Sequence, residues 1–132
     1  MPLTPIYAAL LAALFVVLSL RTILLRQQLG IPIGDGGNRK LRRAIRAHAN
    51  FAEYVPLALL LMYFLETHTQ ARGSMHAFGI VLLAGRSLHA YGVSQEQERV
   101  VLRVTGMVLT FGVIALCAAM LLWHALRLAM LR

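Results

Sequence analysis

"RKLRRAIRAHANFAEYVPLALLLMYFLE", residues 39–66, joins a basic head to a greasy tail. Its first ten residues carry five arginine or lysine side chains, and from Phe51 onward it is almost wholly apolar. Between the two halves lie Arg46, His48, Asn50 and Glu53. At about 100° per helical residue, with Arg43 set at 0°, Arg46 falls near 300°, Asn50 near 340° and Glu53 near 280°. All four share an arc of about 80° and form one polar stripe, whereas His48, near 140°, lies on the far side. A charge at a bilayer centre costs about 2.5–3.5 kcal/mol on insertion scales, so such residues face a bundle interior, pair with one another, or line a site. Two readings follow from the spacing. Either Arg46, Asn50 and Glu53 bind neighbouring helices together, or they hold a polar guest. Pro56 lacks a backbone N–H and is expected to disturb the helix, freeing a carbonyl near Ala52.

The rest of the chain argues that this greasy tail lies in lipid. Hydrophobic residues make up 59% and charged residues 14% of 132 positions, with a mean hydropathy of +0.70. One small soluble core could not bury so much apolar surface. The net charge of +8 does not indicate nucleic acid, because the cations lie between greasy segments rather than on a polar face. A lone cysteine, Cys117, excludes an internal disulfide and reads as a small buried or lipid-facing hydrophobe.

A crossing needs about 20 helical residues, and four segments supply them within a single domain over 1–132. The expected spans are 4–25, 46–66, 75–92 and 103–127, the second and fourth lying in longer helices over 40–66 and 99–131. The third is the least apolar, since Arg86 and His89 interrupt it. The fold class is therefore all-α, an integral membrane four-helix bundle. No basic residue precedes the first span, which is unlike a cleavable signal. Arg26, Arg39, Lys40, Arg42 and Arg43 lie between spans one and two, but only Arg72 lies between spans two and three. The positive-inside rule then places the first and third loops in the cytoplasm and both termini outside. The loop "GIPIGDGGNRK" lacks P-loop spacing and reads as a turn.

Arginine recurs at the same end of the later spans. In "GRSLHAYG", residues 85–92, Arg86 and His89 share a face; Tyr91 lies about 160° from His89 and suits an interface anchor. In "EQERVVLRVTG", residues 96–106, Glu96, Arg99, Arg103 and Gly106 also share a face, and Glu96 with Arg99 suits an ordinary ion pair. No second ligand stands one turn from a histidine, and His68, His76 and His124 lie toward the outer regions, so no metal site is expected. Arginines cannot neutralise one another, and Glu53 and Glu96 are too few to neutralise them. The surplus positive charge calls for an anionic guest.

"RAIRAHANFAEYVP" (43–56), "GRSLHAYG" and "LRVTGM" (102–107), in that order and with the GDGG loop, resemble the MAPEG family, membrane-associated proteins in eicosanoid and glutathione metabolism. The likeness extends over essentially the whole chain and is greatest to short bacterial members. It implies a homotrimer in the bacterial inner membrane, with glutathione as cosubstrate between subunits near the cytoplasmic face. A hydrophobic small-molecule substrate would enter from the membrane lipid. By matching position, Arg46, Asn50 and Glu53 would hold the tripeptide's carboxylates and ammonium. Arg43 and Arg26 match basic residues of the second-span signature and the end of the first span, and Arg86, His89 and Tyr91 match the third-span motif. An arginine heading the fourth span stabilises the thiolate in the family. Counting back from Gly106 favours Arg103, and likeness to microsomal glutathione transferases favours Arg99. Eukaryotic members often carry a tyrosine seven positions after the third-span arginine; this chain has Val93 there. The expected activity is thiolate transfer to lipophilic electrophiles or reduction of lipid hydroperoxides. The alternative is a non-catalytic protein binding glutathione or another anionic ligand on the same scaffold.

Overall fold

A computed structural model describes residues 2–69, 72–95, 97 and 99–131. The described residues form four helices, α1 (Thr4–Leu29), α2 (Arg39–His68), α3 (Arg72–Ser94) and α4 (Val100–Met130). Each expected span lies inside one of them. Arg72, assigned by sequence to a loop, begins α3 instead.

Local chemistry sets the helix ends. Asn38 caps α2 by accepting from the Leu41 N–H at 3.0 Å, which satisfies an otherwise orphaned donor. Gly30 ends α1 in the left-handed region, at φ 64°, where a Cβ would be strained. The start of α1 has no side-chain cap of its own. The Glu66 carboxylate, from the far end of α2, accepts from the Leu3 N–H at 2.5 Å and the Thr4 N–H at 2.9 Å. Pro56 lies within an uninterrupted α2, so the expected disturbance does not end the helix.

Around the bundle, α1 packs on α2 and α3, and α4 packs on the same two helices. The core runs along the axis from Leu11 and Leu18 through Phe51, Val55, Ala58 and Met62 to Leu82, Val113 and Cys117. Cys117 is fully buried, which settles its two sequence readings. His48 stacks on Phe15, with centroids 4.7 Å apart and planes 24° from parallel. That contact holds it on the side of α2 away from the stripe, as helical phase requires.

Two glycines let α3 and α4 meet backbone to backbone. A Cβ on Gly106 would lie 2.4 Å from the Gly85 carbonyl oxygen and 2.7 Å from the His89 backbone nitrogen. Small residues allow this approach in lipid, where dispersion contacts between close helices replace a hydrophobic drive.

Three helices, α1, α2 and α4, are long and apolar enough to cross a bilayer. At 23 residues, α3 reaches about 35 Å, long enough to cross a core about 30 Å thick. Its lower apolarity comes from Arg86 and His89, and both are buried within the protein. The charge is thus directed inward, the arrangement that makes an intramembrane arginine tolerable. Leu20, Leu24, Leu116, Leu122 and Trp123 are exposed on α1 and α4, an apolar outer surface suited to lipid or to neighbouring helices.

A basic cleft at one end of the bundle

The stripe on α2 faces an open cleft of about 440 Å³ walled by α2, α3 and α4. Five guanidinium-bearing residues line it: Arg39, Arg42, Arg43 and Arg46 from α2, and Arg103 from the first turn of α4. Asn50 and His89 add neutral polar groups, while Val93 and Met107 supply apolar wall. Among the described residues, none that lines it is acidic.

Main-chain contacts position several of these groups. Arg43 Nη1 donates to the Val93 carbonyl at 3.2 Å, tying the head of α2 to the end of α3. His89 Nδ1 lies 3.1 Å from the Arg103 carbonyl. Since a carbonyl can only accept, that nitrogen carries the proton. The glycine seam between α3 and α4 makes the contact possible, and so sets Arg103 at the mouth of the cleft. Beneath it, Arg86 is fully buried. Its Nη2 donates to Asn50 Oδ1 at 2.7 Å, Nη1 lies 3.7 Å from Met107 Sδ, and its guanidinium carbon is 5.6 Å from the centre of the Phe51 ring. With Oδ1 taken, Asn50 retains its amide nitrogen, a donor suited to a carboxylate. Arg86 therefore underlies the cleft and orients a residue that lines it.

At the rim, Asp35 pairs with Arg42 Nε and accepts from the Gly37 N–H at 2.9 Å. The Arg42 hydrogen bond, reinforced by that of Gly37, holds the Asp35 carboxyl below the usual carboxylate range. The loop reading of the glycine cluster is correct: Gly34, Gly36 and Gly37 all have positive φ and turn the chain around Asp35.

The structure gathers Arg43, Arg46, Asn50, His89 and Arg103 on one cleft, with Arg86 against it. Four other sequence candidates lie elsewhere. Arg26 braces the first loop, its Nη1 donating to the carbonyls of Ile31, Pro32 and Gly34 at 3.2, 3.3 and 2.8 Å. Arg99 is the exposed residue preceding α4, outside the cleft. Glu53 and Tyr91 are exposed and do not line it. Glu96 falls outside the described residues, so its suggested pairing with Arg99 does too. Sequence reasoning counted Arg39 and Arg42 only as loop charge, and it passed over Met107. For the two arginines, phase on a helix capped by Asn38 was the available signal.

The fold and this cleft define a class: a membrane-spanning four-helix bundle presenting clustered arginines at one end. Residues 4–123 match the MAPEG family, and the chain belongs to that family. It is 40% identical over 119 residues to inner membrane protein YecN of Escherichia coli strain K12, covering 90% of this chain and 89% of the relative. The YecN protein of Escherichia coli O6:H1 strain CFT073 matches to the same extent.

Proposed function

We propose that the protein is a glutathione-dependent enzyme of the bacterial inner membrane, activating the thiol for reaction with lipophilic electrophiles or lipid hydroperoxides. The observation that carries this reading is the convergence of five arginines from α2 and α4 on one cleft. Glutathione brings two carboxylates, and the planar guanidinium fork suits each with paired, charge-assisted hydrogen bonds. A thiol with pKa about 8.5 is only a few per cent ionised at neutral pH. Arg103, beside the apolar Met107 and Val93, supplies positive charge at the cleft mouth, and each unit of thiol pKa lowering represents about 1.36 kcal/mol. The apolar substrate arrives from the bilayer.

The proposed assembly is a homotrimer with both termini outside. Glu53 and Tyr91, exposed on a single subunit, would then be placed to complete a neighbour's site, with Glu53 meeting the ammonium. A specific observation favours a second reading. Val93, at the position where related enzymes often carry tyrosine, lines the cleft and offers no hydroxyl, which suits a non-catalytic binding protein.

The test is calorimetric titration of detergent-purified protein with glutathione and with S-methylglutathione, combined with ultraviolet detection of thiolate. Both ligands should bind, and only glutathione should give the thiolate band. No binding of either ligand overturns the proposal. Binding with thiolate formation but no turnover across a panel of electrophiles favours the second reading.

A further inference from the structure

Arg21 takes no part in the basic cleft, yet it sits within the membrane-crossing part of α1, where a charge needs a reason. It borders a separate groove of about 470 Å³ on the outside of the bundle. Val17, Leu20, Leu24 and Leu25 form the groove's wall, and Arg21, Gln28 and Lys40 form its head. Val17, Leu20 and Leu24 are each at least half exposed and lie along about 10 Å of helix, at 1.5 Å per residue. That wall opens sideways to lipid, and it would strand the amides of a peptide. The head is held in place from α3: Arg21 Nη1 donates to Ser94 Oγ and Nη2 to the Ser94 carbonyl at 3.3 Å. Ser94 and Lys40 also border an adjoining recess of about 290 Å³ with Asn38, Arg39 and Arg43. Among the described residues, no acidic side chain lines either space.

We propose that this groove is a binding site for an anionic glycerophospholipid, with one acyl chain along Val17, Leu20 and Leu24 and its phosphodiester between Arg21 and Lys40. Basic pockets at the ends of membrane helices recognise such headgroups, each nearby cation adding to the attraction. Arg21 and Lys40 repel the ammonium of a zwitterionic headgroup, which selects against such lipids. Gln28 can hydrogen-bond headgroup hydroxyls. The groove itself shares no lining residue with the arginine-lined cleft and does not depend on what that cleft binds.

Delipidated protein in detergent, titrated with phosphatidylglycerol, phosphatidylcholine and soluble glycerol phosphate and read by native mass spectrometry, tests the proposal. Phosphatidylglycerol should be retained, phosphatidylcholine should bind much more weakly, and glycerol phosphate should not bind. Lys40→Glu is the informative variant. The residue is exposed and in the first turn of α2, where an acid suits the helix dipole, so folding is preserved. Reversing its charge should weaken phosphatidylglycerol about thirtyfold, and Arg21→Gln should weaken it about fivefold. Arg127→Glu, the same reversal at the other end of α4, should leave it unchanged. Equal retention of the two lipids overturns the proposal, as does binding of glycerol phosphate as tight as that of the lipid. Unaltered affinity in Lys40→Glu, or equal weakening by Arg127→Glu, also overturns it.

Discussion

Arg86 Nη2 donates to Asn50 Oδ1 across 2.7 Å, joining the buried side of α3 to the wall of the cleft on α2. The two readings that sequence left open for Asn50, a helix-binding contact or part of a site, turn out to be compatible. Its carbonyl binds a neighbouring helix, and its residue still lines the cleft.

That pair predicts an asymmetric mutational cycle. Arg86 is fully buried and its Nε already has no partner among the described residues. Asn50→Leu strands the guanidinium further, at a cost of about 1–3 kcal/mol. Adding Arg86→Met removes the stranded charge, so the double variant should unfold later than Asn50→Leu alone. Denaturation in mixed micelles measures the order. A double variant no more stable than Asn50→Leu would show that the pair is not coupled.

Gly106→Ala and Gly112→Ala should act in opposite directions. A Cβ on Gly106 meets the backbone of Gly85 and His89, whereas one on Gly112 meets nothing within 4 Å. The first must force α3 and α4 apart, at about 1–3 kcal/mol, and should also weaken glutathione binding because Arg103 moves with the seam. The second should be neutral or stabilise by up to about 1 kcal/mol, the helical advantage of alanine over glycine. Paired melting curves decide the matter, and equal effects would count against the close seam.

Asp35→Asn should tighten anion binding at the cleft. Asp35 neutralises Arg42, one of the lining cations, and removing its charge releases that guanidinium. The same neutralisation by acid requires a low pH. Because Arg42 depresses the folded-state pKa of Asp35, the pair's contribution is present above the unfolded carboxyl pKa and is lost as pH falls through the folded one. Glutathione titrations at neutral pH should therefore show higher affinity in the variant. Lower affinity would mean that Asp35 positions Arg42 rather than masking it.

The fold was legible in the sequence because hydrophobic length and arginine placement are local properties. Phase alone grouped Arg43, Arg46 and Asn50 on one side of α2 and turned His48 away. Phase was silent on how far a side chain reaches once helices pack. Glu53 shares the stripe but lies outside the subunit's cleft, since the stripe is broader than the cleft it borders. Arg26 matched a site position by sequence, and its Nη1 turns to three loop carbonyls, a contact that depends on the exact path of residues 31–34. Arg21 interrupted an apolar span just as Arg86 did, and the reasoning applied to α3 would have singled it out on α1. The Glu66 cap joins residues more than sixty positions apart, and no local pattern announces it.

Arg103 and Arg99, equally eligible by sequence, should separate in a thiolate assay. Arg103 lines the cleft, and Arg99 precedes α4 on the exposed surface. The Arg103→Ala substitution removes the guanidinium but keeps the backbone carbonyl that contacts His89, so this tie between α3 and α4 survives. If the guanidinium lowers the thiol pKa by one unit, its loss reduces the thiolate fraction at neutral pH by nearly tenfold. Arg103→Lys keeps a charge without the planar fork and should fall between. Arg99→Ala should retain the full thiolate signal. Ultraviolet difference spectra at saturating glutathione provide the comparison, because saturation separates loss of ionisation from loss of binding. Thiolate that persists in Arg103→Ala but disappears in Arg99→Ala would transfer the role to the other arginine and require the head of α4 to rearrange when glutathione binds.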